Sequence, residues 1–458
     1  MGVTATLVEQ MLGARLEEIP PAAIASVRNA LLDDVGVALL GSTMDAQPII
    51  AWAKDTGGGV PDAVLVGDGA RVSVAAAAGA GAQFAGSTNF NEAGPGQHIF
   101  SALAQTALAV GQRTGADGGE VLATLAAAYQ INGQLHLALR PAALDQGSGM
   151  RHIPMTIALV AGRLLGLDAT ALNRAVSLAL YMVPLPTAER VFWHESWKRR
   201  GMFHIALCTQ GIGCALLAHH GFDGPQDVVE LDERYDAERI GDSPEPYYYP
   251  QHMLQLKLWQ TSRGVHAGVQ ALLGLVGEHA IDVAQIERIS FRGPRIYTGH
   301  PFTDPAPSDV WAGIHSVPWA LAMALLDTPM GHWYEPERYA DPRARALAAR
   351  ITVEEDAAAD AATVEHTVTA GRQAVTDTAN EVVVELADGS VHARRTTKSE
   401  AIGHPHNPLS AEQLAAKFRV CATPVLGETR AEELLGRLGR IEAEPDVRAL
   451  APLLGPER

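Results

Sequence analysis

The chain has 458 residues, 47% of them hydrophobic, and a formal net charge of −17. A chain of this size buries a large core in more than one domain. Its acidity argues against nucleic acid or an anionic membrane as a partner, and its apolar runs stop short of the roughly 20 residues of a membrane span.

From the N-terminus, MGVTATLVE has no basic region and reads as a helix start, not a signal peptide. Pro20-Pro21 opens a helix whose apolar stripe runs through Ile24, Val27, Leu31, Val35 and Leu40, and Gly41-Ser42 is expected to stop it. Similar amphipathic runs follow at about 101–113, 119–139, 153–165, 169–182 and 203–220. Asp117 and Asp168 are expected N-caps. After about residue 262 the pattern changes to period two, at Ile286–Arg292, at Arg350–Glu354 and in a hairpin turning at Asp388-Gly389. An apolar helix over 311–326 lies between these strands, and Ser410 with Gln413 forms a capping box that opens the C-terminal helices. The expected fold is mainly α: a large helical domain over 1–263, an inserted α+β lid domain over 264–400, and helices over 401–458 that return to the first domain. A domain junction is the usual place for a small-molecule cleft.

Cys208, Cys214 and Cys421 show no ligand spacing, which fits buried thiols in a reducing cytoplasm. Gly79-Ala-Gly81 lacks the preceding strand of a dinucleotide loop and reads as close helix packing. His219-His220 sits at a helix end, where imidazoles shield carbonyls. The expectation is therefore no metal and no cofactor.

The chemistry concentrates at loop–helix junctions. Residues 86–98 (GSTNFNEAGPGQH) form a polar loop between two apolar helices, carrying Asn89, Asn91, Glu92 and His98. His98 lies just before a helix, where unpaired N–H groups favour a bound carboxylate and a neutral imidazole. A neutral imidazole near pH 7 can act as a general base. Basic clusters follow at Arg151-His152, at Lys198 to Arg200, and from Lys257 through Ser262 and Arg263 to His266. Several cationic sites of this kind suit a small carboxylated substrate, which needs two or three charge-assisted contacts.

These elements together resemble the MmgE/PrpD family, whose members include 2-methylcitrate dehydratases, cis-aconitate decarboxylases and iminodisuccinate epimerases. LLDDVGVALLGS from Leu31 is similar to the family's first long helix, RLLGLD from Arg163 to the end of its next signature helix, and LLAHHGFDGP from Leu216 to the end of a later one. HSVPWALAMALLD from His315 and HNPLSAEQLAAKF from His406 complete the series, in the family's order and spacing. The resemblance implies a cofactor-independent homodimer that abstracts a proton α to a carboxylate, after which the substrate loses water or CO₂ or is reprotonated. His98 would be the base, Lys198 or Lys257 the carboxylate clamp, and His152 a second acid/base. Asn89, Asn91, Glu92, Arg151, Arg200, Ser262, Arg263, His266 and Trp319 would bind the substrate. Lys198 and Arg200 compete for the family's lysine position, and His152 fits a family histidine only if one helical turn is deleted.

The loop departs from the family's His-x-x-Asp-x-Asp-Asp-Thr pattern. Gly86 stands for its histidine, Asn89, Asn91 and Glu92 for its three aspartates, and Ile99 for the proline after His98. Ser262 stands where a histidine is common, and Trp319 replaces a tyrosine. These substitutions predict poor turnover of 2-methylcitrate and cis-aconitate. They leave two other readings open: an enzyme of the same fold acting on a less charged molecule, and a small-molecule-binding homologue without catalysis.

Overall fold

A computed structural model describes residues 2–44, 46–57, 59–95, 98–140, 151–183, 203–241, 243–359 and 377–457. The fold is mainly α. The chain divides into two compact units, one holding the described residues before 257 and after 410, the other residues 257–410.

The first unit is a helical bundle. Its helices are α1 (Val3–Gly13), α2 (Pro21–Thr43), α3 (Gln47–Thr56), α4 (Val74–Ser87), α5 (Phe100–Thr114), α6 (Gly118–Ala138), α7 (Ile153–Leu164), α8 (Ala169–Tyr181), α9 (Phe203–His219) and the short α10 (Tyr248–His252). A two-stranded ribbon, β1 (Ala63–Val64) and β2 (Arg71–Val72), lies between α3 and α4 in sequence. Asp117 and Asp168 cap α6 and α8 as expected, accepting from the N–H groups of Glu120 and Ala171, each at 2.8 Å. Glycine does not stop α2 at residue 41. The helix continues to Thr43, and Gly41 is where it crosses α4, since a Cβ there would collide with the Phe84 carbonyl. Alanine-rich faces on α4, α5, α6 and α7 are almost wholly buried, which lets these helices pack closely.

The second unit is α+β. Its helices are α11 (His266–Glu278), α12 (Val310–His315), α13 (Val317–Leu325), α14 (Pro336–Ala340) and α15 (Pro342–Ala348). Its strands are β3 (Ile286–Gly293), β4 (Ile351–Glu355), β5 (Ala379–Leu386) and β6 (Val391–Thr397), in the order β4-β3-β5-β6. β3 pairs with β4 in parallel, Ile289 opposite Ile351, and with β5 antiparallel, Ile289 opposite Val384. The expected hairpin is β5–β6, with Gly389 at φ +83° in its turn. Alternation places Ile289, Phe291, Val382 and Val384 in a core shared with α11 and α13. The chain then returns to the first unit through α16 (Ala411–Leu426) and α17 (Glu428–Leu438).

No helix among the described residues is long and apolar enough to cross a membrane.

Candidate active-site residues

In the first unit the loop between α4 and α5 is fixed by its own polar groups. Thr88 closes α4 by donating to the Ala85 carbonyl at 2.8 Å, and its hydroxyl then accepts the Phe90 N–H at 3.0 Å. Asn89 takes a left-handed conformation, φ 50°, which asparagine tolerates better than most residues. Ala93 and Gln255 exchange backbone hydrogen bonds, each 2.9 Å. Beneath the loop, Lys417 on α16 is fully buried. It donates to the Phe90 carbonyl at 2.8 Å, lies 2.7 Å from the Asp33 carboxylate, and sits 4.0 Å from the centre of the Phe90 ring.

The carboxylate at the start of α5 is the chain's own. Glu92 is 2% exposed; Oε1 accepts the Phe100 N–H at 2.7 Å and Oε2 accepts the Ser101 hydroxyl at 3.1 Å. A helix N-terminus expected to attract a ligand anion is thus already served. Asn91 donates to Ser101 Oγ at 2.9 Å, while its Oδ1 is buried and meets no donor among the described residues. Asp34, on α2, completes the network through Gln105 at 2.7 Å. Burial pushes its carboxyl up to about 6, aided by the neighbouring Asp33 and opposed by hydrogen bonds from Ser101 and Gln105 and by Lys417.

His98 is partly buried, and its Nδ1 bonds to the Glu92 carbonyl. A carbonyl only accepts, so Nδ1 carries the proton and Nε2 is the basic atom. From α9, His204 Nε2 donates to the His98 carbonyl at 3.2 Å. The His204 ring occupies the space beside Gly86, where a Cβ would come within 2.6 Å of its Cε1.

His152 is wholly buried, with its ring 5.5 Å from that of His136. Burial first, and His136 second, hold its pKa well below the usual imidazole value, so it is neutral at pH 7. Neither ring nitrogen meets a hydrogen-bond partner among the described residues. Arg151 donates to Asp232 at 3.0 Å, an ion pair within the first unit. Lys198 and Arg200 lie outside the described residues.

The second unit holds the remaining candidates. Lys257 is 2% exposed. Ser262 bonds through its N–H to the Ile314 carbonyl at 3.1 Å, and a single turn from Arg263 to Val265 leads into α11. His266, 5% exposed, is the first residue of that helix, its ring edge-on to Trp259 at 5.4 Å. Trp319 is a core residue. It is fully buried, stacked on Tyr339 at 5.2 Å, and its indole N–H is taken by the Trp333 carbonyl at 3.0 Å. Sequence reasoning missed Lys398 and His404 here, and Asp34, His204 and Lys417 in the first unit. Lys417 had a signal: it shares one face of its helix with Leu414, Phe418 and Cys421, a core position.

The three cysteines are buried, and burial raises the Cys208 and Cys421 thiols to about 12 and Cys214 to about 11, so none is a thiolate nucleophile at pH 7. A cavity of about 590 Å³ lined by Arg15, Asp117, Glu120 and Arg163 contains none of these candidates. There Arg163 is satisfied by Glu120 and by the Met11 and Ala14 carbonyls.

Residues 5–242 match the MmgE/PrpD N-terminal domain, and residues 259–437 match the MmgE/PrpD C-terminal domain. The chain belongs to the MmgE/PrpD family. Among its MmgE/PrpD relatives is the human cis-aconitate decarboxylase, 25% identical over 316 residues, which are 65% of this chain and 60% of that protein. The mouse cis-aconitate decarboxylase is 24% identical over 318 residues, 65% of this chain and 59% of that protein. The chain thus spans about three fifths of the length of the curated relatives it matches.

Proposed function

We propose that this chain is a cofactor-independent acid–base enzyme, a lyase or isomerase, acting on a small carboxylated molecule. The observation that carries the reading is the tautomer of His98. The Glu92 carbonyl holds the Nδ1 proton, which leaves Nε2 as a base on a partly buried ring. His98 would remove a proton from the carbon α to a carboxylate or carbonyl. The negative charge that then develops needs preorganised cations or donors. His152, neutral in its buried site, would serve as the second acid or base. Loss of water, loss of CO₂ or reprotonation would complete the reaction. A homodimer belongs to the same proposal, and sedimentation at twice the chain mass would support it.

The substrate differs from cis-aconitate and 2-methylcitrate. Asn89 and Asn91 carry no charge, and both oxygens of Glu92 are bonded to the start of α5. The Trp319 N–H is bonded to Trp333 and cannot protonate a carbanion. Together these favour a carboxylate other than those two tricarboxylates.

The test is deuterium exchange. A panel of mono-, di- and tricarboxylates in D₂O would be followed by proton NMR for loss of the α C–H signal or for product. At least one acid should exchange or turn over, and cis-aconitate should turn over below about 1 s⁻¹, slow for an enzyme on its own substrate. Exchange in none of them would remove the acid–base reading.

A further inference from the structure

Around the loop before α5, the buried amide atoms Asn91 Oδ1, Asn132 Oδ1 and Gln255 Nε2 meet no hydrogen-bond partner among the described residues. All three residues lie in the first unit, and each is tied to the loop. Asn91 is part of it. Gln255 pairs with Ala93 through two backbone bonds of 2.9 Å, and Asn132 donates from Nδ2 to the Pro95 carbonyl at 2.9 Å.

The chemistry of the partners settles which amide atom is left over. A carbonyl only accepts, so the Asn132 nitrogen faces Pro95 and the oxygen is the unbonded atom. The single hydroxyl hydrogen of Ser101 goes to Glu92, so Asn91 must donate to Ser101, and its oxygen too is left over.

Asn132 is three residues after Tyr129 and four before His136 on α6, so the three side chains share one face of the helix. The Tyr129 hydroxyl packs against Gly94, where a Cβ would come within 1.8 Å of it. The His136 ring is 5.5 Å from that of His152. One helix face therefore runs from the loop that carries His98 to the ring of His152, with Asn132 in its middle. His152 is wholly buried like Asn132, and neither of its ring nitrogens is bonded among the described residues.

A buried acceptor without a donor costs free energy, which a ligand's donor recovers. A carboxylate offers acceptors only and cannot serve an amide oxygen, whereas a hydroxyl or a carboxamide N–H can. Gln255 Nε2 is a donor of the complementary kind, for a carbonyl or carboxylate oxygen.

We propose that Asn132 is a specificity-determining residue of the site that holds His98 and His152, and that its amide oxygen accepts a hydrogen bond from a hydroxyl or carboxamide on the substrate. The substrate is then a carboxylic acid that also carries a neutral donor group. The carboxylic acid rests on the acid–base reading above; the donor rests on Asn132.

Calorimetric titration tests this with two pairs of acids, each pair alike in shape except for the donor: malate against succinate for a hydroxyl, and succinamate against levulinate for a carboxamide. In the parent protein at pH 7, the donor-bearing member of at least one pair should bind about tenfold or more tightly than its partner, the gain expected from one buried hydrogen bond. Preference in the first pair assigns a hydroxyl, and preference in the second a carboxamide. In Asn132→Leu, which keeps much of the volume but removes the oxygen, the two members should bind within about twofold of each other. A residue acting only through folding would weaken both members alike, so an unchanged ratio in the variant overturns the proposal. No preference in either pair, or no binding of any of the four acids, also overturns it, and both are read on the parent protein without the variant. Exchange in D₂O is scored separately. Exchange without donor preference removes Asn132 and keeps the acid–base reading, whereas donor preference without exchange keeps the Asn132 contact and removes the acid–base chemistry.

Discussion

The polar groups of the two units are organised in opposite ways. In the first unit the loop before α5 has its charges matched internally: Lys417 with Asp33, Glu92 with the N–H of Phe100, and Asn91 with Ser101. In the second, Asp377 acts on Lys398 while both its oxygens are bonded to Ser399, and the Lys398 ammonium makes neither an ion pair nor a hydrogen bond among the described residues. Matched groups fix a conformation, and here the conformation fixed is that of His98. Burial of a polar residue therefore does not by itself identify a ligand contact; the bonds it already makes decide.

The largest effect should follow from the base. His98→Ala is expected to lower kcat/KM by about 10²–10⁴, with the melting temperature within a few degrees of the parent. The D₂O exchange assay on the most reactive acid measures it. Near-parental exchange in the variant would make the first-unit loop a structural device only.

Lys417 sets the next test. Removing one partner of a buried ion pair leaves the other charge uncompensated, at a cost of about 3–5 kcal/mol. Lys417→Met should lose that much in urea unfolding, whereas Lys417→Met combined with Asp33→Asn should recover most of it. Equal losses in the single and double variants would show that Lys417 acts through packing on Phe90 and α2, not through charge.

Asp34 gives the pH dependence. Its folded pKa of about 6 lies above the ordinary 3.8, so the folded protein keeps the proton that the unfolded chain has released. Its contribution to stability is therefore complete below about pH 4 and is lost as pH rises to 6, by an amount on the order of 3 kcal/mol. Asp34→Asn imitates the protonated form. The difference in unfolding free energy, variant minus parent, should grow in the variant's favour between pH 4 and 6 and then level off. A difference constant with pH would show that Asp34 titrates as an ordinary carboxylate.

Much of the fold was legible because helix and strand periods repeat over many residues. Asp117, Asp168 and the hairpin at Asp388-Gly389 stand where local chemistry put them. Gly41 misled because a glycine that ends a helix and one that lets two helices cross look alike until the second helix is placed. The site was less legible for the same reason. His98 and Glu92 are close in sequence, and their loop advertised itself through composition. The loop's distant partners, His204 on the His98 carbonyl and Lys417 on the Phe90 carbonyl, come from α9 and α16, and nothing local in the sequence connects them.

Trp319 offers the smallest effect and the sharpest distinction between a ligand contact and a core contact. The position was expected to bind substrate, but the indole is fully buried, stacked on Tyr339 and bonded to the Trp333 carbonyl. Trp319→Phe keeps an aromatic ring but removes the N–H and part of the stacked surface. The buried Trp333 carbonyl would lose its donor, which costs about 1–3 kcal/mol. Stability should fall by that amount, while kcat/KM on the reactive acid should stay within about twofold, since changes below 0.5 kcal/mol at the transition state give no more. A loss of tenfold or more in kcat/KM without a comparable loss of stability would put Trp319 against the substrate. The indole would then form an apolar wall for the ligand, and a position whose bonds are all made inside the core would still touch substrate.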